Sequence, residues 1–221
     1  KTSQPFQKTW VDKDGNTIQE DYLGWELSVD FKLQVAEKTG NTYGMWADAE
    51  TYFKGNLEDS VYKEVFGDNY SFTKTLTGSI DSEVWETGGR FTDLPKVIKK
   101  VDENTATVLV YRVVESEIRY GLPGGQSTSI PIKVVDQADH TYTYDFGGSQ
   151  VFSPYYGKEQ TSNPDNTTNH QNQLNTAGME VQKIWEGDSD NAFGTRPSTP
   201  RPGYDWESRF LIQQSFDKGT S

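Results

Sequence analysis

Two lysines stand where lysines are costly. In Phe6-Gln7-Lys8-Thr9-Trp10, and again in Val181-Gln182-Lys183-Ile184-Trp185, a lysine lies between two large apolar residues at alternate positions. Alternate residues of a strand share a face, so each lysine falls on the face that should be buried. A buried ammonium must be paired or neutralised. A single such lysine could sit at an edge and reach out to water; two in the same frame point to a role for the position. A carboxylate is placed to meet the first. Leu109, Tyr111, Val113 and Glu115 share a face, and Glu115 follows three apolar residues into the expected core. An ion pair across the sheet is the plain reading of Lys8 with Glu115. Glu117, two residues further on, is the rival acid.

Other chemistries find less. Asp12-Lys13-Asp14-Gly15-Asn16 has the acidic spacing of a calcium loop, but its glycine comes too early and the distal glutamate is missing, so it reads as a turn. Two histidines and no cysteine leave little for zinc or for a Cys-His enzyme. With 33 acidic residues, coincidental carboxylate pairs are expected, and no motif of a deep glycosidase site accompanies them. No metal site and no cofactor is expected.

The elements that must hold Lys8 and Glu115 are strands. Residues 5–11 form the first, closed by the Asp12–Asn16 turn. Trp25 to Val35 alternates without a fault, with Trp25, Leu27, Val29, Phe31, Leu33 and Val35 on one face. Thr105 to Ile118 carries apolar residues on both faces, as a central strand covered on both sides does. Shorter strands are expected at 70–76, 84–85, 90–96, 130–135 and 140–146. Residues 37–69 break the pattern: Phe53, Leu57, Val61, Tyr62, Val65 and Phe66 recur at helical spacing, interrupted at Gly55-Asn56. This is an insertion of about residues 36–69 on a β framework. Its Trp46, Tyr52 and Tyr62 either line a ligand groove or pack the insertion onto the sheet. Residues 152–172, polar and proline-broken, read as a surface loop, and 171–176 as a short last strand.

The 221 residues are ample for a core, and aromatic, Thr and Val residues punctuated by 20 glycines indicate an all-β protein. The net charge of -12 argues against nucleic acid and anionic membrane as partners. No apolar run is long enough to span a bilayer.

The chain also repeats itself. Residues 6–16 and 181–191 match in pattern, and Trp25-Glu26 finds a counterpart in Trp206-Glu207. Two units are expected: residues 1–178, and residues 179–221 as the start of a second, truncated one, so that the chain is a piece of a longer tandem array. Residues 181–185 should be strand-like, and 195–203, with three prolines, extended and outside any central ladder.

Taken together, Lys8-Thr9-Trp10, Phe91-Thr92-Asp93-Leu94-Pro95-Lys96, Tyr111-Arg112-Val113-Val114-Glu115 and Leu174-Asn175-Thr176, followed by the new opening Lys183-Ile184-Trp185 with Gly194-Thr195-Arg196-Pro197, resemble the collagen-adhesin B-type (Cna-B-like) domain of Gram-positive surface adhesins and pilins. The resemblance spans the whole first unit. Residues 36–69 and 147–170 are longer than in the family's compact versions.

The resemblance implies an Ig-like antiparallel β-sandwich, displayed outside a Gram-positive cell on a wall-anchored protein whose anchor lies outside this chain. It implies a structural or adhesive module rather than a turnover enzyme. Its partners would be neighbouring repeats and a host surface or matrix protein or glycan. It further implies a spontaneous Lys–Asn isopeptide bond, with Lys8 as the amine, Glu115 as the promoting acid and Asn175 as the acceptor; Asn172 is the rival acceptor. A neutral amine can attack a carboxamide carbon while a protonated acid polarises the carbonyl and shuttles protons. Lys183 would carry no such bond within this chain.

Overall fold

In a computed structural model of the chain, residues 1–18, 24–81, 85, 89–100, 106–122, 124–137, 141–155 and 168–175 are described. The chain divides into two compact units, Lys1–Ala177 and Gly178–Ser221. The described residues all belong to the first. The expectations for Lys183, for strand 181–185 and for the extended segment 195–203 lie outside them.

The first unit is an all-β sandwich. In chain order it runs β1 (Thr2–Val11), β2 (Glu26–Thr39), β3 (Thr42–Tyr43), β4 (Ala47–Asp48), α1 (Ala49–Asn56), α2 (Asp59–Phe66), β5 (Thr73–Gly78), β6 (Arg90–Leu94), β7 (Val97–Lys100), β8 (Ala106–Gly121), β9 (Thr128–Pro131), β10 (Lys133–Asp136), β11 (Tyr142–Asp145), β12 (Phe152–Pro154) and β13 (Thr168–Leu174). One sheet has the order β12-β13-β1-β6. The other is built on the long pair β2 and β8, with β3, β4 and β5 along the far edge of β2 and β7 and β9 along that of β8. β10 and β11 form a separate hairpin.

Alternation explains which faces meet. Gln4, Phe6, Lys8 and Trp10 of β1 are buried while Ser3, Pro5, Gln7 and Thr9, which alternate with them, are half-buried. On the second sheet Phe31, Leu33 and Val35 of β2 stand beside Glu115, Val113 and Tyr111 of β8. The two inner faces join in one core, with the Phe6 and Phe31 rings 4.6 Å apart across the gap. Such burial of apolar faces is what holds two sheets together.

The insertion is helical where its spacing predicts. α1 and α2 break between Asn56 and Asp59, beside the expected interruption. Phe53, Phe66 and Phe72 cluster with ring centroids 4.8–6.1 Å apart and seal the insertion onto the β2 side of the core.

Three local features depart from expectation. β1 and β13, the first and last strands of the unit, pair in parallel, whereas the other pairs among the described residues are antiparallel. β13 begins at Thr168, inside a segment expected to be loop, because His170, Asn172 and Leu174 give even this polar run a buried face. Finally, β8 carries a bulge: Phe31 stands opposite Glu115 but Asp30 opposite Glu117, so Ser116 is the extra residue. A bulge resets the alternation of its strand. Ile118 consequently faces the core and Glu117 does not.

Candidate functional site

Three strands bring three polar side chains together at the centre of the sandwich. β1 supplies Lys8, β8 supplies Glu115 from the opposite sheet, and β13 supplies Asn172. All three are fully buried. The Lys8 Nζ lies 3.1 Å from Glu115 Oε1. The Asn172 side-chain amide donates to the other carboxylate oxygen, Oε2, at 2.6 Å. One carboxylate thus bridges an amine and a carboxamide carried by neighbouring strands. The parallel register sets their spacing, with Lys8 opposite His170 and Trp10 opposite Asn172. Lys8 and Asn172 are therefore diagonal neighbours on one face.

The walls are aromatic. Nζ lies 4.0 Å from the centroid of the Trp10 ring, which packs in turn on Trp85 and Phe152 at 5.7 and 4.9 Å. The backbone of Trp85 exchanges two hydrogen bonds with Lys8, fixing that residue of β1 in depth. Gly78 makes room for the Trp85 indole, since a Cβ there would sit 2.5 Å from the indole nitrogen. On the other side Phe6 packs on Phe91 and Phe31.

Burial dominates the electrostatics. Desolvation lowers the Lys8 ammonium to about 8, against the opposing pull of the Glu115 charge. His170, equally buried and next to that cation, is lowered to about 3 and is neutral. A buried ion pair of this kind costs several kcal/mol per ion in desolvation, which its own attraction only partly returns. Lys8 also donates to the Thr9 carbonyl oxygen at 3.3 Å.

Glu115 and Lys8 are where the sequence places them, but Asn175 is not. It sits just past the end of β13, half-buried, with its side-chain oxygen accepting from Ser153 Oγ at 3.0 Å and Gln173 at 3.4 Å. The reason is parity. Residues 170, 172 and 174 share the inner face, and 175 belongs to the other. Asn172 takes the place beside Glu115. Glu117 is excluded by the bulge and spends its carboxylate on Arg119 and Ser129. His170 is a member of the cluster that sequence reasoning missed. Its signal was present, since it is in phase with Asn172 and Leu174, but a polar strand gives no hydrophobic pattern to reveal the phase.

The insertion's rings are occupied with packing. Trp46 stacks on the buried Arg112 guanidinium, 4.4 Å from its centroid, with Tyr142 at 4.7 Å from the same group. Arg112 also pairs with Asp136 at 2.6 Å and donates to Gln34 at 2.8 Å, so this stack binds the insertion and the β10–β11 hairpin to the outer face of the second sheet. Tyr52 donates to Glu37 at 2.6 Å, and Tyr62 packs on Phe66 and Phe72. The three do not converge on a common groove.

Among the described residues no group of three or more His, Cys, Asp or Glu side chains is placed to hold a metal ion. Asp12 instead accepts the backbone N–H groups of Asp14 and Asn16, as a turn-forming aspartate does. No helix among the described residues is long and apolar enough to cross a membrane. Comparison with known proteins finds no matching family model, no matching curated protein and no matching solved structure.

Proposed function

We propose that this chain is a self-crosslinking structural module of the Cna-B-like kind, part of a Gram-positive surface adhesin or pilin stalk, locked by an isopeptide bond between Lys8 and Asn172. Glu115 promotes the bond and no cofactor takes part. The observation that carries this reading is the buried contact of one carboxylate with both an amine and a carboxamide on the first and last strands of the unit.

The chemistry proceeds in place. Lys8 passes a proton from Nζ to Glu115, leaving a neutral amine and a carboxylic acid in a dry pocket. The amide group of Asn172 presents its oxygen to that acid, a half-turn from the orientation in which its nitrogen donates to the carboxylate. Nζ attacks Cγ. The Cγ–Nζ bond forms as the carbonyl electron pair moves to Oδ1, which the Glu115 proton stabilises. Glu115 then carries a proton from Nζ to Nδ2, the Cγ–Nδ2 bond breaks and ammonia leaves. Overall, an ammonium side chain and a carboxamide become a secondary amide and ammonium in water. Each chain reacts once. The product holds no buried ammonium, so the reaction relieves the desolvation cost of the Lys8 charge.

The geometry suits a load-bearing role. Parallel β1 and β13 are sheared when the two ends of the unit are pulled apart. A covalent link at Lys8 and Asn172 carries that load past the intervening chain. Neighbouring repeats would continue the shaft, and its host partner would be a surface or matrix protein or a glycan.

Protease digestion and tandem mass spectrometry test the assignment. A branched peptide joining the Lys8 segment to the Asn172 segment is expected; a branch at Asn175 would refute the acceptor, and unbranched peptides for both segments would refute the bond.

A further inference from the structure

The edge of β8 that faces away from β2 is covered by β7 up to Leu109 and by β9 from Glu117, with Ile132 N–H reaching the Ser116 carbonyl. Between them lies the stretch that carries Glu115, immediately before the Ser116 bulge. Two tyrosine hydroxyls from β11 take the place of a strand there. Tyr142 donates to the Val113 carbonyl oxygen at 2.9 Å, and Tyr144 accepts the Glu115 N–H at 2.9 Å. Tyr144 Oη also lies 3.0 Å from His170 Nδ1. The Tyr144 oxygen that takes the Glu115 N–H thus also bridges to Nδ1 of the neutral His170, whichever of the two carries the shared hydrogen.

This chain of bonds crosses the sandwich. It begins on the backbone of the promoting acid and ends on β13, two residues before Asn172. Misplacement by about 1 Å can slow a reaction about 100-fold, so what fixes these two strands against each other matters to the rate. We propose that Tyr144 and His170 are positioning residues for the cross-link: their hydrogen-bonded chain holds Glu115 of one sheet in reach of Asn172 of the other. This rests on the reading of Lys8, Glu115 and Asn172 as a bond-forming set. Neither residue gives up or takes a proton in the balanced reaction, and neither touches the reacting atoms.

The test follows ammonia loss by intact mass in the full chain, sampled at intervals during cell-free synthesis and quenched in denaturant. Tyr144→Phe keeps the ring and deletes the hydroxyl. His170→Leu deletes the hydrogen-bonding partner of Tyr144, and His170→Asn restores a polar group near the Nδ1 position. Closure about ten- to 100-fold slower is expected for Tyr144→Phe and His170→Leu, with His170→Asn within about threefold of the wild type. Each variant is also melted in a Lys8→Ala background, where no bond can form, and a cooperative transition shows that the sandwich is intact. Should Tyr144→Phe not fold, the two His170 variants carry the comparison. Closure of Tyr144→Phe at the wild-type rate, or His170→Asn as slow as His170→Leu, would overturn the positioning role while leaving the bond standing. A wild type that never loses ammonia would instead refute the bond, and the positioning role with it.

Discussion

Asn172→Ala is expected to fold into the same sandwich and to lose most of its resistance to heat and denaturant. The bond closes a loop of 172 − 8 = 164 positions. By analogy with a disulfide, closing a loop of that size removes enough unfolded-state entropy to stabilise the fold by about 5 kcal/mol. The variant also keeps Lys8 and Glu115 as a buried ion pair, whose desolvation cost the linked wild type does not carry in the same form. Equilibrium denaturation of the wild type against Asn172→Ala measures the sum. Asn175→Ala is the matched control and should stay near the wild type, because the Asn175 side chain bonds to Ser153 and Gln173 at the end of β13 and its backbone bond to Val151 survives the substitution. Equal stability of Asn172→Ala and the wild type would contradict the bond. A large loss in Asn175→Ala alone would return the acceptor to that position.

In the unlinked Asn172→Ala chain, stability is expected to rise as the medium is made alkaline. Lys8 then remains an amine in a dry pocket, with its folded-state value near 8 against an ordinary 10.5. Between these two values the unfolded chain binds a proton that the folded chain has released, so raising the pH favours folding. Below about 8 both states are protonated and the burial penalty is present in full. The gap of 10.5 − 8 corresponds to a gain on the order of 3 kcal/mol across the window. The buried tyrosines oppose this only above about 10, where the unfolded chain begins to ionise them. The control is the double variant Lys8→Met with Asn172→Ala, which should lack the rise. The linked wild type should lack it too, since its Lys8 nitrogen is an amide. A rise of the same size in the Lys8→Met control would show that another group titrates.

Much of this site is written in the alternation of β1 and β8. Phe6, Lys8 and Trp10 could share only one face, and that face could only be inward. The same logic put Glu115 in the core, and the spacing of Phe53, Leu57, Tyr62 and Phe66 announced the two short helices. The errors came where alternation is broken or invisible. The Ser116 bulge turns Glu117 outward, and nothing in the local residue types marks where a strand will take an extra residue. In β13 the run Thr168-Asn169-His170-Gln171-Asn172-Gln173 is polar on both faces, so its phase is set by pairing with β1 and not by its own composition. A shift of parity then separates Asn172 from Asn175. Tyr142 and Tyr144 are legible as an inward face of a short strand, but their hydroxyls reach the free edge of β8 only through the tertiary placement of the hairpin.

The most direct measurement is the intact mass of the purified wild-type chain beside Lys8→Ala, Glu115→Ala and Asn172→Ala, all under denaturing conditions. A covalent bond survives denaturation and an ion pair does not. The account predicts a wild type lighter than its sequence by one molecule of ammonia, with each of the three variants at its full calculated mass. A wild type at full mass would contradict it, leaving Lys8 and Glu115 as a buried ion pair and nothing more.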